Sequence, residues 1–435
     1  MKKLLYIPLL TFIAMLSFTA CSKDSTDEEE KKPPVDTLAQ YKTQGQHLRR
    51  TIIAYMCGDN NNIGTYLKED VKEMIEGSKQ LQEDCRLILL SDFDNQPPRI
   101  SEIRKGREVV MREYEKDFYV TSPDSMLSIM KWIISNYPAD EYATVFGGHG
   151  SGAIIENDTI KTNLVTLKAY GPDGTATTPA NRQWINIPSM AKVFSNLPKM
   201  EYIFFDCCEM GNVETVYELR NAAHYIIAPV SETPGDGAPY KTIVPILSLD
   251  RMLVGSYIID HYIQDTNFGS YDGICISCVK TDELENLRKA TYDVLRKFPQ
   301  HPGTNRLQFN IRYCVYYYNV NRALSDIPIL HDMKSVFTQN GLSADDMKEW
   351  EKAINKAVVV RYPKTGTTSF RWKTSMRVNE GGSISDYTFT LNDDNYCGLS
   401  MIVPFEGYNS LTPNLNKSMY DLQWTNAMDW KSLGW

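Results

Sequence analysis

The amino-acid sequence predicts an α/β protein with a mostly parallel central sheet flanked by helices, followed by a C-terminal α+β extension. Three observations carry that expectation. Short apolar runs rich in strand formers (Arg50–Met56, Cys85–Leu90, Ala143–Phe146, Ile203–Phe205 and Tyr225–Val230) alternate with stretches of helical periodicity. Strand, helix, strand order implies crossover connections, hence parallel pairing with helices on both faces. Several runs stop abruptly at polar or glycine-rich turns, and in open α/β sheets such carboxyl ends are where reacting groups gather.

Lys2 and Lys3 precede the apolar run Leu4–Phe18, which closes on Thr19, Ala20 and Cys21. A basic start, a short apolar core and small residues before a cut describe a secretory signal over residues 1–20, and the run is too short for a comfortable membrane span. The sequence FTAC resembles the bacterial lipobox, which would make Cys21 the acylated first residue of the mature chain and a durable membrane anchor. Residues 21–48 are charged and proline-containing and cannot bury enough apolar area to fold, so they read as a flexible acidic tether. The cluster Asp24, Asp27, Glu28, Glu29 and Glu30 resembles the surface-export signal of Bacteroidetes lipoproteins, and a solvated spacer accounts for it equally well. The expected location is the cell envelope, lipid-anchored at the outer membrane.

A core domain is expected over residues 49–265, with 266–435 partly completing its sheet. The first strand, RTIIAYM, runs into the turn CGDNNN and a helix from about Ile63 to Leu81. A second strand begins at Cys85. Ile100–Tyr114 alternates apolar and polar residues as a hairpin at the sheet surface. Met126, Ile129, Met130, Ile133 and Ile134 share one helical face over Ser125–Tyr137, with Ser122 or Asp124 placed to cap it. The third strand then breaks into GGHGSG at His149. About fifty residues separate it from the next strand, and GPDGTATTPANRQ within them reads as a long exposed loop. A helix over Pro188–Ser195 leads to EYIFFDCCEMGNVETVYELR, a strand, turn and helix with Cys207 and Cys208 at the turn. Further on, Leu253–Gln264 and Glu283–Phe298 read as helices and Tyr271–Val279 as a strand, and strands resume from Ser369.

Composition excludes several classes. Hydrophobic residues are 42% and charged residues 23%, so the chain is globular rather than disordered. The formal net charge of -8 argues against a nucleic-acid surface, which needs clustered Lys and Arg. Nine cysteines over 435 residues are too sparse for a disulfide scaffold. Most lie within apolar runs and read as buried thiols.

The chemistry concentrates at two strand ends. A thiol near its usual pKa of about 8.5 is only a few per cent ionised at neutral pH, so a nucleophilic cysteine needs an imidazole beside it. His149, flanked by glycines at a strand end, is the best placed of the six histidines. Alternation along the strand puts Phe204, Asp206 and Cys208 on one side and Phe205 and Cys207 on the other, so Cys207 is expected to point into packing. A carboxylate two residues away, about 6.5 Å, opposes a thiolate by roughly 2 to 3 kcal/mol at an effective dielectric near 20. That cost is relieved if Asp206 faces a pocket for a Lys or Arg side chain; the plainer account is that it accepts hydrogen bonds from the turn.

Taken together, YMCGDNNN, GGHGSG, FFDCCEMGNVETVYELR, SETPGDGAPY and CGLSMIVPF resemble motifs of the clostripain-like cysteine peptidases, within the caspase-like superfamily. The resemblance implies a caspase-like sandwich fold and a cysteine endopeptidase acting through a thioester. It makes His149 and Cys208 the catalytic pair, the N–H groups of Gly150 and Cys208 the oxyanion donors, and Asp206 the acidic base of a pocket for Lys or Arg. Members are often matured by self-cleavage after the histidine, for which Lys161, Lys168 and Arg182 are candidates. Members strict for basic residues can carry a second pocket acid, whereas this loop reads Gly237, Ala238, Pro239. Some members need calcium, but no ligand loop of EF-hand spacing is present and no cofactor or metal is expected. Protein or peptide substrates and a monomeric state are expected.

Two rival readings follow from other residues. Cys275-Ile-Ser-Cys278 would suit a zinc module, but a strand sends two such thiols to opposite faces and no second pair lies near. A non-catalytic, caspase-like surface lipoprotein that binds peptides or glycans would use the aromatic-rich second half, including YYYNV and YDLQW.

Overall fold

The structure, a computed structural model, describes residues 38–59, 63–93, 96–153, 170–174, 183–266, 274–300, 302–303, 307–311, 314–320, 327–364, 370–380, 383–404 and 419–434. The signal, most of the tether, Cys21, Lys161, Lys168 and Arg182 lie outside these residues.

Strand β1 (Leu48–Gly58) is followed by helix α1 (Gly64–Gly77) and β2 (Cys85–Phe93). The expected hairpin is β3 (Arg99–Arg104) and β4 (Arg107–Glu113). Helix α2 (Pro123–Asn136) starts where the Ser122 side chain accepts the Ser125 N–H with Pro123 at its first position, and it leads to β5 (Ala139–Gly147). A short hairpin, β6 (Tyr170–Asp173) and β7 (Gln183–Ile185), precedes α3 (Ile187–Phe194), β8 (Met200–Asp206), α4 (Val213–Glu218) and β9 (Ala223–Pro229). Then come α5 (Tyr240–Ile246), α6 (Arg251–Asp265), β10 (Ile276–Lys280) and α7 (Leu284–Leu295).

The remaining elements are β11 (Tyr316–Val320), β12 (Ile327–Asp332), α8 (Met333–Gln339), α9 (Ala344–Ala357), β13 (Val358–Tyr362), β14 (Phe370–Glu380), β15 (Ser383–Leu391), β16 (Ser400–Ile402) and α10 (Gln423–Ala427).

Nine strands make one sheet in the order β13-β10-β9-β8-β5-β1-β2-β3-β4. The five in the middle, β9, β8, β5, β1 and β2, are mutually parallel, and antiparallel pairs finish both edges. The α/β class with flanking helices is thus as the sequence predicts. β10 and β13 come from beyond residue 265, and β11, β12 and β16 form a small antiparallel sheet.

Two apolar layers sandwich the sheet. Alternate residues of the central strands divide between them: Ile53, Tyr55, Ile203 and Phe205 enter one layer with α2, α3 and α9, while Ile52, Ala54, Tyr202 and Phe204 enter the other with α1, α5 and α6.

One expectation needs correction. The segment GPDG was read as exposed loop, but Gly171, Asp173 and Gly174 are buried, with Tyr170 wholly so. Tyr170 inserts its ring against Phe146 and donates its hydroxyl to the carbonyls of Tyr55 (2.9 Å) and Gly147 (3.1 Å), which a turn-rich composition does not reveal.

Candidate active site

Parallel pairing of β5 with β8 sets Gly147 opposite Asp206. His149 and Cys208 therefore lie at matching positions, each two residues past that pair, where both chains leave the sheet. Their turns touch. A Cβ built on Gly150 would sit 2.6 Å from the Cys208 carbonyl oxygen and 2.9 Å from the Cys207 Cβ, so only glycine permits this approach. Gly148, at φ +148, is confined likewise by the Cys57 carbonyl, 2.7 Å from where its Cβ would be. His149 and Cys208 are both half-buried, whereas Cys207 is wholly buried and donates its S–H to the Phe146 carbonyl at 3.2 Å. The carbonyl of His149 accepts the Gly171 N–H at 2.9 Å, so β6 backs the histidine turn.

The Cys208 sulfur accepts the Thr233 N–H at 3.3 Å and lies 3.4 Å from the Thr233 hydroxyl. Burial, reinforced by the neighbouring Glu209 and opposed by Thr233, pushes the thiol up to about 12. The acid that bears most on the sulfur is thus Glu209, not Asp206 as spacing along the strand suggested. Glu209 adopts a left-handed φ of +63, is buried, and is itself driven well above the carboxylate range by that burial. At neutral pH the free thiol is therefore protonated, and a base must remove its proton before it can attack.

Asp206 turns towards the opposite layer. Its carboxylate accepts the Ala238 N–H (3.0 Å) and the hydroxyls of Tyr240 (3.0 Å) and Tyr262 (2.9 Å). The donors are thus not the N–H groups of its own turn, as the plainer account had it, but one backbone N–H and two tyrosines from later segments. A second acid joins it. A Cβ on Gly237, at φ +61, would lie 2.9 Å from Asp206 Oδ2 and 3.6 Å from Asp70 Oδ2, so both carboxylates converge on one spot beside that loop. Burial raises both, and for Asp70 the charges of Asp206, Glu73, Asp236 and Glu69 raise it further. Sequence reasoning looked for this second acid only among residues 237–239. Its signal lay elsewhere: Asp70 sits on the buried face of α1 with Leu67, Val71 and Met74, an acid inside an apolar stripe.

The turn after Cys208 is held by the C-terminal half of the chain. Asn212 caps α4 by accepting the Thr215 N–H at 2.8 Å. The Gly211 carbonyl accepts the Ser400 N–H (3.2 Å), and the buried Glu214 carboxylate accepts the Ile402 N–H (2.8 Å). Glu218 accepts the Gln423 N–H and amide, both at 2.9 Å. Glu214 and Glu218 are thereby anchors for β16 and α10.

Cys275 and Cys278 are buried in separate apolar clusters and do not converge. Among the described residues, the group whose ligand atoms approach closely enough for one ion is Cys57, Asp92 and Asp173. No helix among the described residues is long and apolar enough to cross a membrane.

Comparison with known proteins agrees with the motifs. The Clostripain family model, Peptidase C11, matches residues 54–433. A secreted C11 cysteine protease from Bacteroides thetaiotaomicron, solved in complex with an irreversible peptide inhibitor, is similar at 25% identity and a TM-score of 0.69, covering 88% of this chain and 99% of its own. An inactive zymogen C11 protease from Parabacteroides distasonis shares the fold at 19% identity and a TM-score of 0.67, covering 89% and 99%. No match was found among curated proteins.

Proposed function

Since this chain belongs to the clostripain family of cysteine peptidases, we propose that it is an endopeptidase cutting after Lys or Arg, with Cys208 as nucleophile and His149 as its proton partner. The observation that carries the specificity is the convergence of Asp206 and Asp70 beneath the cysteine strand end. Two buried carboxylates, with no ion pair to a base among the described residues, complement an ammonium or guanidinium better than any neutral group.

His149 takes the thiol proton as sulfur attacks the scissile carbonyl, and returns it to the leaving amine. The Thr233 N–H, directed at the sulfur, favours the thiolate while the proton is away. The N–H groups of Gly150 and Cys208 receive the developing oxyanion, and water then releases the acyl group from sulfur. No metal enters these steps. Self-cleavage at Lys161, Lys168 or Arg182 would separate the histidine-bearing and cysteine-bearing segments while the sheet keeps them paired. The similar Bacteroides protein is secreted, which is in keeping with export of this chain and with anchoring through an acylated Cys21 in the envelope.

The test is a panel of fluorogenic peptides varying only in the residue before the cut, with sequencing of new N-termini. Cys208→Ala and His149→Ala should abolish cleavage after Lys and Arg, and Cys207→Ala should keep it. An electrophilic Lys peptide should label Cys208. Labelling at Cys207, or equal turnover of neutral and basic peptides, overturns the assignment.

A further inference from the structure

We propose that Cys57, Asp92 and Asp173 form a divalent-cation site that fixes β6 behind the histidine turn. Cys57 and Asp92 face each other across the β1–β2 ladder, and Asp173 arrives from β6, whose Gly171 packs on Cys57: a Cβ there would lie 3.3 Å from its sulfur. The sulfur and one oxygen from each carboxylate all lie within 4.8 Å of one another. The three side chains are 0%, 0% and 1% exposed.

What points to a ligand is the unmet bonding of the carboxylates. Neither Asp92 oxygen has a hydrogen-bond donor among the described residues. Asp173 spends Oδ2 on the Thr121 N–H (2.9 Å) and hydroxyl (3.3 Å), leaving Oδ1 without a donor. After burial, the charges that bear most on Asp92 are those of Asp173, Asp59 and Asp117, so acid meets acid there. Burying such a group is costly, because each charge loses its water and gains only repulsion. Two remedies exist. The carboxyls can hold protons, Asp92 sharing one with Asp173: burial raises both, reinforced at Asp92 by the charges of Asp173 and Asp59 and at Asp173 by those of Asp59 and Asp117, against the Thr121 hydrogen bonds. Alternatively a divalent ion replaces those protons and satisfies the bare oxygens at once. Carboxylate oxygens suit calcium or manganese, and the thiol, once deprotonated, suits zinc.

The site's place in the fold gives the ion a task. Asp173 lies two residues beyond Gly171, whose N–H holds the His149 carbonyl. Binding at Asp173 would therefore tighten the strand that supports the imidazole without touching substrate.

The experiment strips the full chain with chelator and titrates calcium and, separately, zinc by calorimetry and thermal unfolding. One ion per chain and a rise of a few degrees in Tm at about a hundredfold excess over Kd are expected. Asp92→Asn and Asp173→Asn should each abolish the shift, while metal-free Asp92→Asn melts no lower than the stripped wild type, because the carboxyl it replaces is held in its neutral form there. Cys57→Ser decides the ion: calcium binding that survives it assigns an oxygen site, and zinc binding lost with it assigns a thiolate site. Binding of neither ion, or binding that persists in both Asn variants, overturns the proposal and leaves a proton-sharing carboxyl pair. None of these readouts depends on peptide cleavage.

Discussion

Replacing Asp206 with asparagine isolates the charge of the proposed Lys/Arg pocket from its shape. The carboxylate takes three donors, two on Oδ2 and one on Oδ1. An asparagine carbonyl can keep the Ala238 and Tyr240 bonds, and its amide can face the Tyr262 oxygen, since a phenol accepts as well as donates. Stability should therefore fall by only about 1 kcal/mol. The loss to a cationic substrate is larger. At about 4 Å and an effective dielectric near 20, a carboxylate attracts an ammonium by about 4 kcal/mol, roughly a thousandfold in kcat/KM. Asp70 remains and retains part of that attraction, so a fall of about a hundred- to a thousandfold is expected for peptides with Arg or Lys before the cut. The assay compares kcat/KM on paired fluorogenic peptides, Arg against Gln at that position, with melting measured on the same preparation. An equal fall on both peptides, with or without a lowered Tm, would refute the pocket role and leave Asp206 as a structural acceptor.

Two further outcomes follow from the buried titrating groups. With the Cys208 thiol pushed up to about 12 by burial, alkylation of His149→Ala by a small neutral reagent should rise about tenfold per pH unit between pH 7 and 10. The wild type should depart from that line; two parallel profiles would show that His149 does not share the proton. Glu214 is raised to about 8 by burial, above its ordinary value of about 4.3. A folded pKa above the unfolded one adds stability that is complete below the unfolded value and is lost as pH climbs through the folded one. Glu214→Gln keeps an acceptor for the Ile402 N–H and removes that titration, so its Tm relative to wild type should increase from pH 5 to pH 9. A constant difference across that range would contradict the assignment.

The sheet and the strand ends that carry His149 and Cys208 were legible because they rest on local pattern. Period-two alternation alone divides Phe205 and Cys207 from Phe204 and Asp206, and the two apolar layers receive them as that alternation requires. The GGHGSG turn was legible because glycine marks close backbone approach. What escaped was built from distant segments. Asp70 joins Asp206 from a helix more than a hundred residues earlier, and nothing near either residue encodes that meeting. Tyr170 and Asp173 sit in a stretch whose glycine and proline content imitates an exposed loop, yet their side chains fill the space behind β1 and β5. Of the two antiparallel edges, the β3–β4 hairpin was legible from alternation, whereas β13 reaches β10 across a long sequence separation that no local pattern encodes.

The bonds from Ser400 and Ile402 to the segment just after Cys208 carry an implication for biosynthesis. A ribosome delivers the cysteine almost two hundred residues before it delivers those donors. Until they emerge, Gly211 and Glu214 have lost partners that the finished fold supplies, and the loop presenting the sulfur lacks its brace. Hydrolytic competence would thus arrive late in translation, sparing the nascent polypeptide from its own cutting edge.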